Sequence, residues 1–199
     1  MAEAAPVILS DLDGVLVDSR SSVVRAWERF AARHGLPPER VLAATFAGPS
    51  DEVVRSLLPA ADADAEARLV EGWQLADVGG VAALPGAAVL LAGVAPDRLA
   101  VVTSCSAALA RARLAAAALP APAVMVTAEL VGAGKPDPEG YLLAARRLGV
   151  DPQRCLVVED SEPGLAAGRA AGARTAALRG LAGDLRIDDL AQLARLLTG

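Results

Sequence analysis

Acidic side chains in two short runs are the residues of this chain best suited to chemistry. One run is Asp11-Leu12-Asp13-Gly14, the other is Glu159-Asp160, and each follows a short apolar stretch. Carboxylate oxygens are hard ligands for Mg²⁺, an ion that usually combines one or two carboxylates with a substrate phosphate. A carboxylate brought close to a phosphate can attack phosphorus and form an aspartyl-phosphate. These residue types therefore favour phosphoryl transfer, with Asp11 and Asp160 holding Mg²⁺ as the cofactor.

A hydroxyl and an ammonium group complete the candidate site. Thr103 and Ser104 follow another apolar run, and Lys135, the only lysine in the chain, follows the apolar run at 123–127. Both kinds of group can bind phosphoryl oxygens and offset the charge of the transition state. We therefore expect Thr103 and Lys135 to contact the phosphate.

The rest of the composition removes other kinds of chemistry. His34 is the only histidine, which excludes a metal site with several histidine ligands and restricts a Ser/His/Asp triad or a Cys/His pair to one in which His34 itself serves. Cys105 and Cys155 are the only cysteines, too few for a disulfide framework or a four-cysteine zinc site.

Charge and hydropathy predict a soluble protein of the cytoplasm. The 199 residues are 54% apolar and 3% aromatic, with a formal net charge of −5. Because there is no basic stripe, we expect no nucleic-acid partner. The first apolar run, 7–9, is too short for a signal peptide, and no uncharged stretch reaches the roughly 18 residues of a membrane span. We therefore expect no membrane contact, and we expect a monomer.

Short apolar runs alternate with helical patterns through most of the chain. Strands are predicted at 7–10, 99–103, 123–127, 155–158 and 174–178, and helices at 87–93, 107–119, 139–148, 163–171 and 188–197. Such alternation predicts a parallel sheet with right-handed crossovers, whose active site lies beyond the carboxyl ends of the strands. Asp11, Thr103 and Asp160 all follow predicted strands, so we expect them to share one crevice with Lys135.

Residues 19–84 carry only helical patterns. Helices are predicted at 21–33, 38–46, 50–58 and 63–76, separated by Gly, Pro or Asp, and no strand is predicted among them. The chain is therefore predicted to form a core of residues 1–18 and 85–199, with an all-helical insert of residues 19–84 after the first strand. His34 precedes Gly35 at a helix end, where we expect the imidazole to cap free carbonyl groups.

Four segments of the predicted core combine acids, a hydroxyl and the lysine in a fixed order. They are Asp11-Leu12-Asp13-Gly14-Val15-Leu16-Val17-Asp18-Ser19, Val101-Val102-Thr103-Ser104, Gly134-Lys135-Pro136-Asp137-Pro138 and Val157-Val158-Glu159-Asp160-Ser161. They resemble the four signatures of the haloacid dehalogenase-like (HAD) hydrolase superfamily, in its phosphatase and β-phosphoglucomutase-like branch. The resemblance covers nearly the whole core. It implies an α/β fold with a Rossmann-like parallel sheet, helices on both faces and a helical cap at 19–84.

The resemblance also implies the residues that react and those that bind metal. By it, Asp11 is the nucleophile, and Asp13 protonates the leaving alcohol and later activates water. Mg²⁺ is bound by Asp11, the backbone carbonyl of Asp13 and Asp160, with Glu159 near the metal.

A second set of residues is implied to bind the substrate. Thr103 and Lys135 hold the phosphoryl group and so assist catalysis, with Ser104 beside them. The backbone around Leu12 adds hydrogen-bond donors. Arg20 follows the first connection to the cap and is a candidate for a distal anionic group.

Differences between this sequence and other branches of the superfamily reduce the number of reactions to consider. The dehalogenases of the superfamily lack the second aspartate, present here as Asp13, and the phosphonoacetaldehyde hydrolases need a cap lysine that this chain does not have. The β-phosphoglucomutases use a cap histidine and a basic loop, both missing at 22–25 and 47–51. The sequence looks most like sugar-phosphate phosphatases and predicts a Mg²⁺-dependent phosphatase for a small phosphorylated sugar or polyol. A sugar-phosphate mutase and a catalytically silent binding protein of the same fold remain alternatives.

Overall fold

The chain forms two compact units. The computed structural model describes residues 6–45, 50–59 and 61–198. One unit, here called the core unit, comprises Met1–Asp18 and Ala82–Gly199, and the other, the helical unit, comprises Ser19–Val81.

A parallel sheet forms the centre of the core unit. Its strands, with those of a small second sheet, are β1 (Val7–Ser10), β2 (Val17–Asp18), β3 (Ala82–Ala83), β4 (Leu99–Val102), β5 (Val124–Val126), β6 (Cys155–Glu159), β7 (Arg174–Ala177) and β8 (Leu185–Arg186). The large sheet has the order β5-β4-β1-β6-β7-β8, and all its pairs are parallel. β2 and β3 form a separate antiparallel pair.

Helices connect the parallel strands and pack against them. In chain order the helices are α1 (Arg20–His34), α2 (Pro38–Thr45), α3 (Ser50–Leu57), α4 (Ala63–Ala76), α5 (Ala87–Gly93), α6 (Ala107–Ala116), α7 (Glu139–Leu148), α8 (Glu162–Ala170) and α9 (Leu190–Thr198). Helix α7 packs against β4 and β5, and α8 packs against β6 and β7. The predicted α/β fold with a Rossmann-like parallel sheet is confirmed.

The central strands are apolar because helices and neighbouring strands cover them. All four residues of β1 and all four of β4 are buried, as expected for a parallel sheet covered on both faces. Leu9 lies opposite Ala100 on one side and Val157 on the other. This register brings the carboxyl ends of β1, β4 and β6 to the same edge of the sheet.

The helical unit has its own core. Trp27 and Phe30 of α1 meet edge to face with their ring centroids 5.2 Å apart, and Val41, Val54 and Val70 from the other three helices are buried in the same cluster. Each helix thus buries the apolar face that its sequence pattern predicted.

His34 does not cap α1, so that prediction is wrong. The left-handed Gly35 ends the helix by donating its backbone N–H to the carbonyl of Ala31. The Nε2 atom of His34 lies 3.0 Å from Oε2 of Glu66. A carboxylate is a stronger partner for an imidazole than a backbone carbonyl, and the sequence did not show that Glu66 would be within reach.

Three short strands were not predicted. β2, β3 and β8 are two residues long, and a hydrophobic period cannot be recognised over two residues. The prediction that 19–84 contains no strand is therefore wrong at Ala82–Ala83. Because β3 pairs with β2, the helical unit ends at Val81 rather than at 84.

A search for membrane-spanning segments among the described residues finds no helix of sufficient length and hydropathy to cross a bilayer.

The stability of the core unit should depend strongly on its central strand. Leu9→Ala removes a side chain with 0% exposure, and we expect it to lower the free energy of unfolding by about 2–5 kcal/mol. The matched control, Leu196→Ala, removes a side chain that is 56% exposed and should change stability by less than about 0.5 kcal/mol. Urea unfolding measures both, and equal midpoints would contradict this description of the core.

Candidate active site

The acidic runs lie at the edge where the central strands end. The backbone N–H of Asp11, the first residue after β1, donates to the carbonyl of Val158 at 3.0 Å and so extends the pairing with β6. Thr103 follows β4 and donates its own N–H to Val126 at 2.9 Å. Asp160 directly follows β6. Backbone pairing in the sheet therefore positions these three residues independently of the contacts of their side chains.

Lys135 links three of the strand ends through its side chain. Its Nζ lies 2.5 Å from Oδ1 of Asp11, 2.6 Å from Oε1 of Glu159 and 3.2 Å from the carbonyl oxygen of Val102. These three acceptors match the three hydrogens of an ammonium group. Burial alone lowers the pKa of Lys135, but the charges of Asp11 and Glu159 raise it, and the pKa ends well above its usual value. Lys135 therefore stays protonated.

Glu159 is held from several sides. It is fully buried, and its Oε2 accepts hydrogen bonds from the N–H of Asp160 and from the N–H and hydroxyl of Ser161. Its Oε1 accepts from the Tyr141 hydroxyl at 2.7 Å and forms an ion pair with Lys135. A Cβ at Gly164 would lie 1.9 Å from this carboxyl group, so α8 can start here only with glycine at that position.

The donor set of the site fits a divalent cation. Asp11, Glu159 and Asp160 each offer a carboxylate oxygen, and these oxygens lie within 4.8 Å of one another. Burial raises the pKa of Asp11 well above its usual value, and burial raises that of Asp160 to about 6. Burial disfavours the charged form of a carboxyl group, which a cation bound close by would stabilise, and hard oxygen donors of this kind suit Mg²⁺. Glu159 already accepts hydrogen bonds at both oxygens, so its part in metal binding remains a prediction.

Asp13 has a partner that the sequence analysis missed. Nη1 of Arg113 lies 2.6 Å from Oδ2 of Asp13, and Arg113 is only 3% exposed. The sequence did contain a signal that Arg113 is buried. Arg113 falls on the same face of α6 as Leu109, Ala110 and Leu114, which are all buried, so its position in the helical period is that of a core residue.

The turn after Asp13 requires glycine for two reasons. Gly14 has a φ of +81°, which L-residues rarely adopt, and a Cβ there would lie 2.0 Å from Oδ2 of Asp160. The same carboxylate oxygen forms an ion pair with Arg179, whose Nε lies 3.0 Å away. Arg179 is a second residue that the sequence analysis missed, and nothing in its sequence surroundings distinguishes it from a surface arginine.

The remaining predicted substrate residues lie in different places. Thr103 is buried, and its hydroxyl oxygen accepts from the N–H of Cys105, while Ser104 beside it is exposed. The side chain of Leu12 is fully buried among core residues. Arg20 begins α1 and belongs to the helical unit. The roles of these residues in phosphate or substrate binding remain predictions.

A parallel sheet with an aspartate after its central strand, a buried lysine and an acidic pair at its carboxyl edge is the architecture of a HAD-like hydrolase. Residues 5–172 match the haloacid dehalogenase-like hydrolase family. The chain belongs to this family, and the resemblance found in its motifs is confirmed.

Two curated relatives and one solved structure illustrate the similarity. Hexitol phosphatase A of Escherichia coli is 44% identical over 187 residues, which cover 92% of this chain and 87% of the relative. 2-Deoxyglucose-6-phosphate phosphatase 2 of Saccharomyces cerevisiae is 31% identical, over 84% of this chain and 77% of the relative. The crystal structure of CbbY from Rhodobacter sphaeroides in complex with phosphate superimposes with a TM-score of 0.83 at 27% identity, covering 95% of this chain and 96% of that one. The prediction of a phosphoric monoester hydrolase is supported by the family and by both relatives.

The close approach of Gly14 to Asp160 generates a test of the site. Gly14→Ala should displace the Asp160 carboxylate and lower the rate of p-nitrophenyl phosphate hydrolysis by about 100-fold. Gly35→Ala is the matched control, because Gly35 also has a positive φ, +62°, but a Cβ there would meet nothing within 4 Å. Both variants carry left-handed strain of about 1–2 kcal/mol, so equal losses of activity would show that strain alone is responsible.

Proposed function

We propose that this protein is a phosphatase that hydrolyses a small phosphorylated sugar or polyol through an aspartyl-phosphate intermediate. The observation that carries the proposal is the buried contact of Asp11 with Lys135 at the carboxyl end of the central strand. It gives a carboxylate of fixed direction beside a permanent positive charge. A nucleophile for phosphorus and a counter-charge for phosphoryl oxygens are what such a reaction needs.

The first half-reaction transfers the phosphoryl group to Asp11. An oxygen of Asp11 attacks phosphorus with its lone pair, and the bond from phosphorus to the alcohol oxygen breaks. The bonding electrons leave with that oxygen, which takes a proton from Asp13. Lys135 keeps its own proton and offsets charge on the phosphoryl oxygens, as the high pKa of its ammonium group allows.

The second half-reaction returns the enzyme to its starting state. Asp13, now a carboxylate, removes a proton from water, and the water oxygen attacks phosphorus. The bond from phosphorus to Asp11 breaks, which releases inorganic phosphate and restores both carboxyl groups. Asp13 thus serves as acid and then as base, and each role is of the kind that contributes about 10²–10⁴-fold to rate.

The residues that would hold Mg²⁺ are Asp11 and Asp160 through their carboxylates and Asp13 through its backbone carbonyl. When bound, this ion would neutralise part of the charge that the carboxylates and a phosphate share.

The choice of a sugar or polyol phosphate rests on the relatives. Hexitol phosphatase A and 2-deoxyglucose-6-phosphate phosphatase 2 are both named for phosphorylated hexose derivatives. The residues around the phosphoryl group serve every phosphate ester alike, so discrimination must come from groups that meet the alcohol. We assign that part to the helical unit as a cap, with Arg20 as a candidate. Trp27 is the other residue that the sequence suggests, but it is 2% exposed and packs against Phe30, so it belongs to the core of that unit. The loop candidate at 46–51 lies partly outside the described residues, which omit 46–49.

A panel of phosphorylated metabolites tests the function directly. Incubation with hexitol, hexose and pentose phosphates should release inorganic phosphate, and Asp11→Asn should lower kcat by several decades because an amide is a poor nucleophile. Asp97→Asn, at an exposed position of the core unit, is the control and should leave kcat unchanged. An isomeric sugar phosphate formed without free phosphate would show a mutase instead. No turnover of any ester would favour a binding protein.

Metal dependence should follow from the acidic cluster. Removal of divalent cations by EDTA should abolish phosphate release, and added Mg²⁺ should restore it. Ca²⁺ should inhibit, because it takes more ligands at longer distances and can draw both oxygens of Asp11 away from phosphorus. Phosphate release is measured during the titration of each ion, and full activity in EDTA would contradict the metal assignment.

A further inference from the structure

The contact between Arg113 and Asp13 has no part in the chemistry described above. We propose that Arg113 is a positioning residue, which holds the Asp13 carboxyl group in the orientation needed for proton transfer to and from the substrate oxygen. The inference rests on the proposed function, because it explains what holds the Asp13 carboxyl group of that mechanism in its orientation.

Arg113 is a buried charged residue that needs a partner. Its side chain is 4% exposed and lies on the buried face of α6 with Leu109 and Leu114. A guanidinium group taken out of water costs several kcal/mol unless a partner compensates it. Oδ2 of Asp13, at 2.6 Å, is such a partner, because it accepts a charge-assisted hydrogen bond from the guanidinium group while Oδ1 stays available for the proton that is transferred.

The two carboxyl oxygens of Asp13 differ in their hydrogen bonding. Oδ2 accepts from Arg113, whereas Oδ1 is buried and has no hydrogen-bond partner among the described residues. An unsatisfied buried acceptor is rare, and one at the carboxyl edge of the sheet beside Asp11 is suited to a substrate proton. Arg113 cannot give up its own proton, so it fixes the group without competing for the proton that moves.

The surrounding backbone explains why a positioning group is needed. Asp13 follows β1 and lies in the turn to β2, where its backbone makes only an isolated bridge with Val17. The side chain is 29% exposed, and the backbone bridge to Val17 does not itself contact it. Arg113, rooted in a helix of ten residues, supplies the rigid support that the turn lacks.

The proposal separates substrates by their leaving groups. A sugar or polyol leaves as a strongly basic alkoxide and needs the proton of Asp13, whereas p-nitrophenolate is weakly basic and leaves without one. If the Asp13 carboxyl group loses its orientation, phosphoryl transfer from sorbitol 6-phosphate should therefore become slower. The rate of phosphoryl transfer from p-nitrophenyl phosphate to Asp11 should stay nearly unchanged. A structural defect would slow both.

The experiment uses Arg113→Met, which keeps the aliphatic volume of the side chain and removes its charge. We expect kcat for sorbitol 6-phosphate to fall by about 100-fold, while the rapid-quench burst of p-nitrophenolate keeps its rate within a factor of about ten. Arg111→Met is the matched control, since Arg111 is an exposed arginine of the same helix, and it should change neither quantity. If Arg113→Met does not fold, Arg113→Lys retains the charge and should show the same selective loss in milder form.

A double-mutant cycle identifies the residue through which Arg113 acts. In the Asp13→Asn background, Arg113→Met should cause no further loss toward sorbitol 6-phosphate, because the group that it positions no longer transfers protons. Additive losses, or equal losses on both substrates, would overturn the proposal. Failure of the proposed function has a different signature, which is turnover by Asp11→Asn or the absence of p-nitrophenolate release by the unmutated enzyme.

Discussion

The buried ammonium group of Lys135 is the constraint on which the rest of the site depends. A lysine that is 13% exposed at its side chain needs polar partners for its charge, and here oxygen atoms at the ends of three neighbouring strands lie close to its Nζ. Asp11 follows β1, the Val102 carbonyl ends β4 and Glu159 ends β6. Because those strands are paired in parallel, one cation satisfies all three at once. The sheet register and the lysine therefore fix the direction of the Asp11 carboxylate together.

Charge balance explains why the cluster is suited to phosphate esters. Four acids, Asp11, Asp13, Glu159 and Asp160, meet three cations, Lys135, Arg113 and Arg179. The pKa values of Asp11 and Asp160 are raised because burial disfavours their charged forms. A divalent cation with a phosphate dianion adds no net charge to this balance. The same arrangement can thus hold substrate without exposing an uncompensated group.

The sequence predicted the parts of the structure that local patterns determine. Apolar runs identified the strands 7–10 and 155–158, and the acids beyond them were expected in one place because parallel strands end together. Arg113 and Arg179 were missed for different reasons. Arg113 obeys the helical period of a core residue, so a stricter reading of that period would have found it. Arg179 reaches Asp160 from a residue after β7 with a φ of +55°, a conformation that no local pattern indicates. The two-residue strands were beyond the resolution of any periodic signal.

The central claim is that the phosphoryl group is transferred to Asp11. Its most direct test is chemical trapping in Asp13→Asn protein, in which slow water activation should let the phosphoenzyme accumulate. The protein is incubated with p-nitrophenyl phosphate, quenched in acid, reduced with tritiated borohydride and mapped by peptide. An aspartyl-phosphate is reduced to homoserine, so the account predicts tritium at position 11 and none in protein that also carries Asp11→Asn. Label at another residue, or phosphate release with no label at position 11, would contradict it.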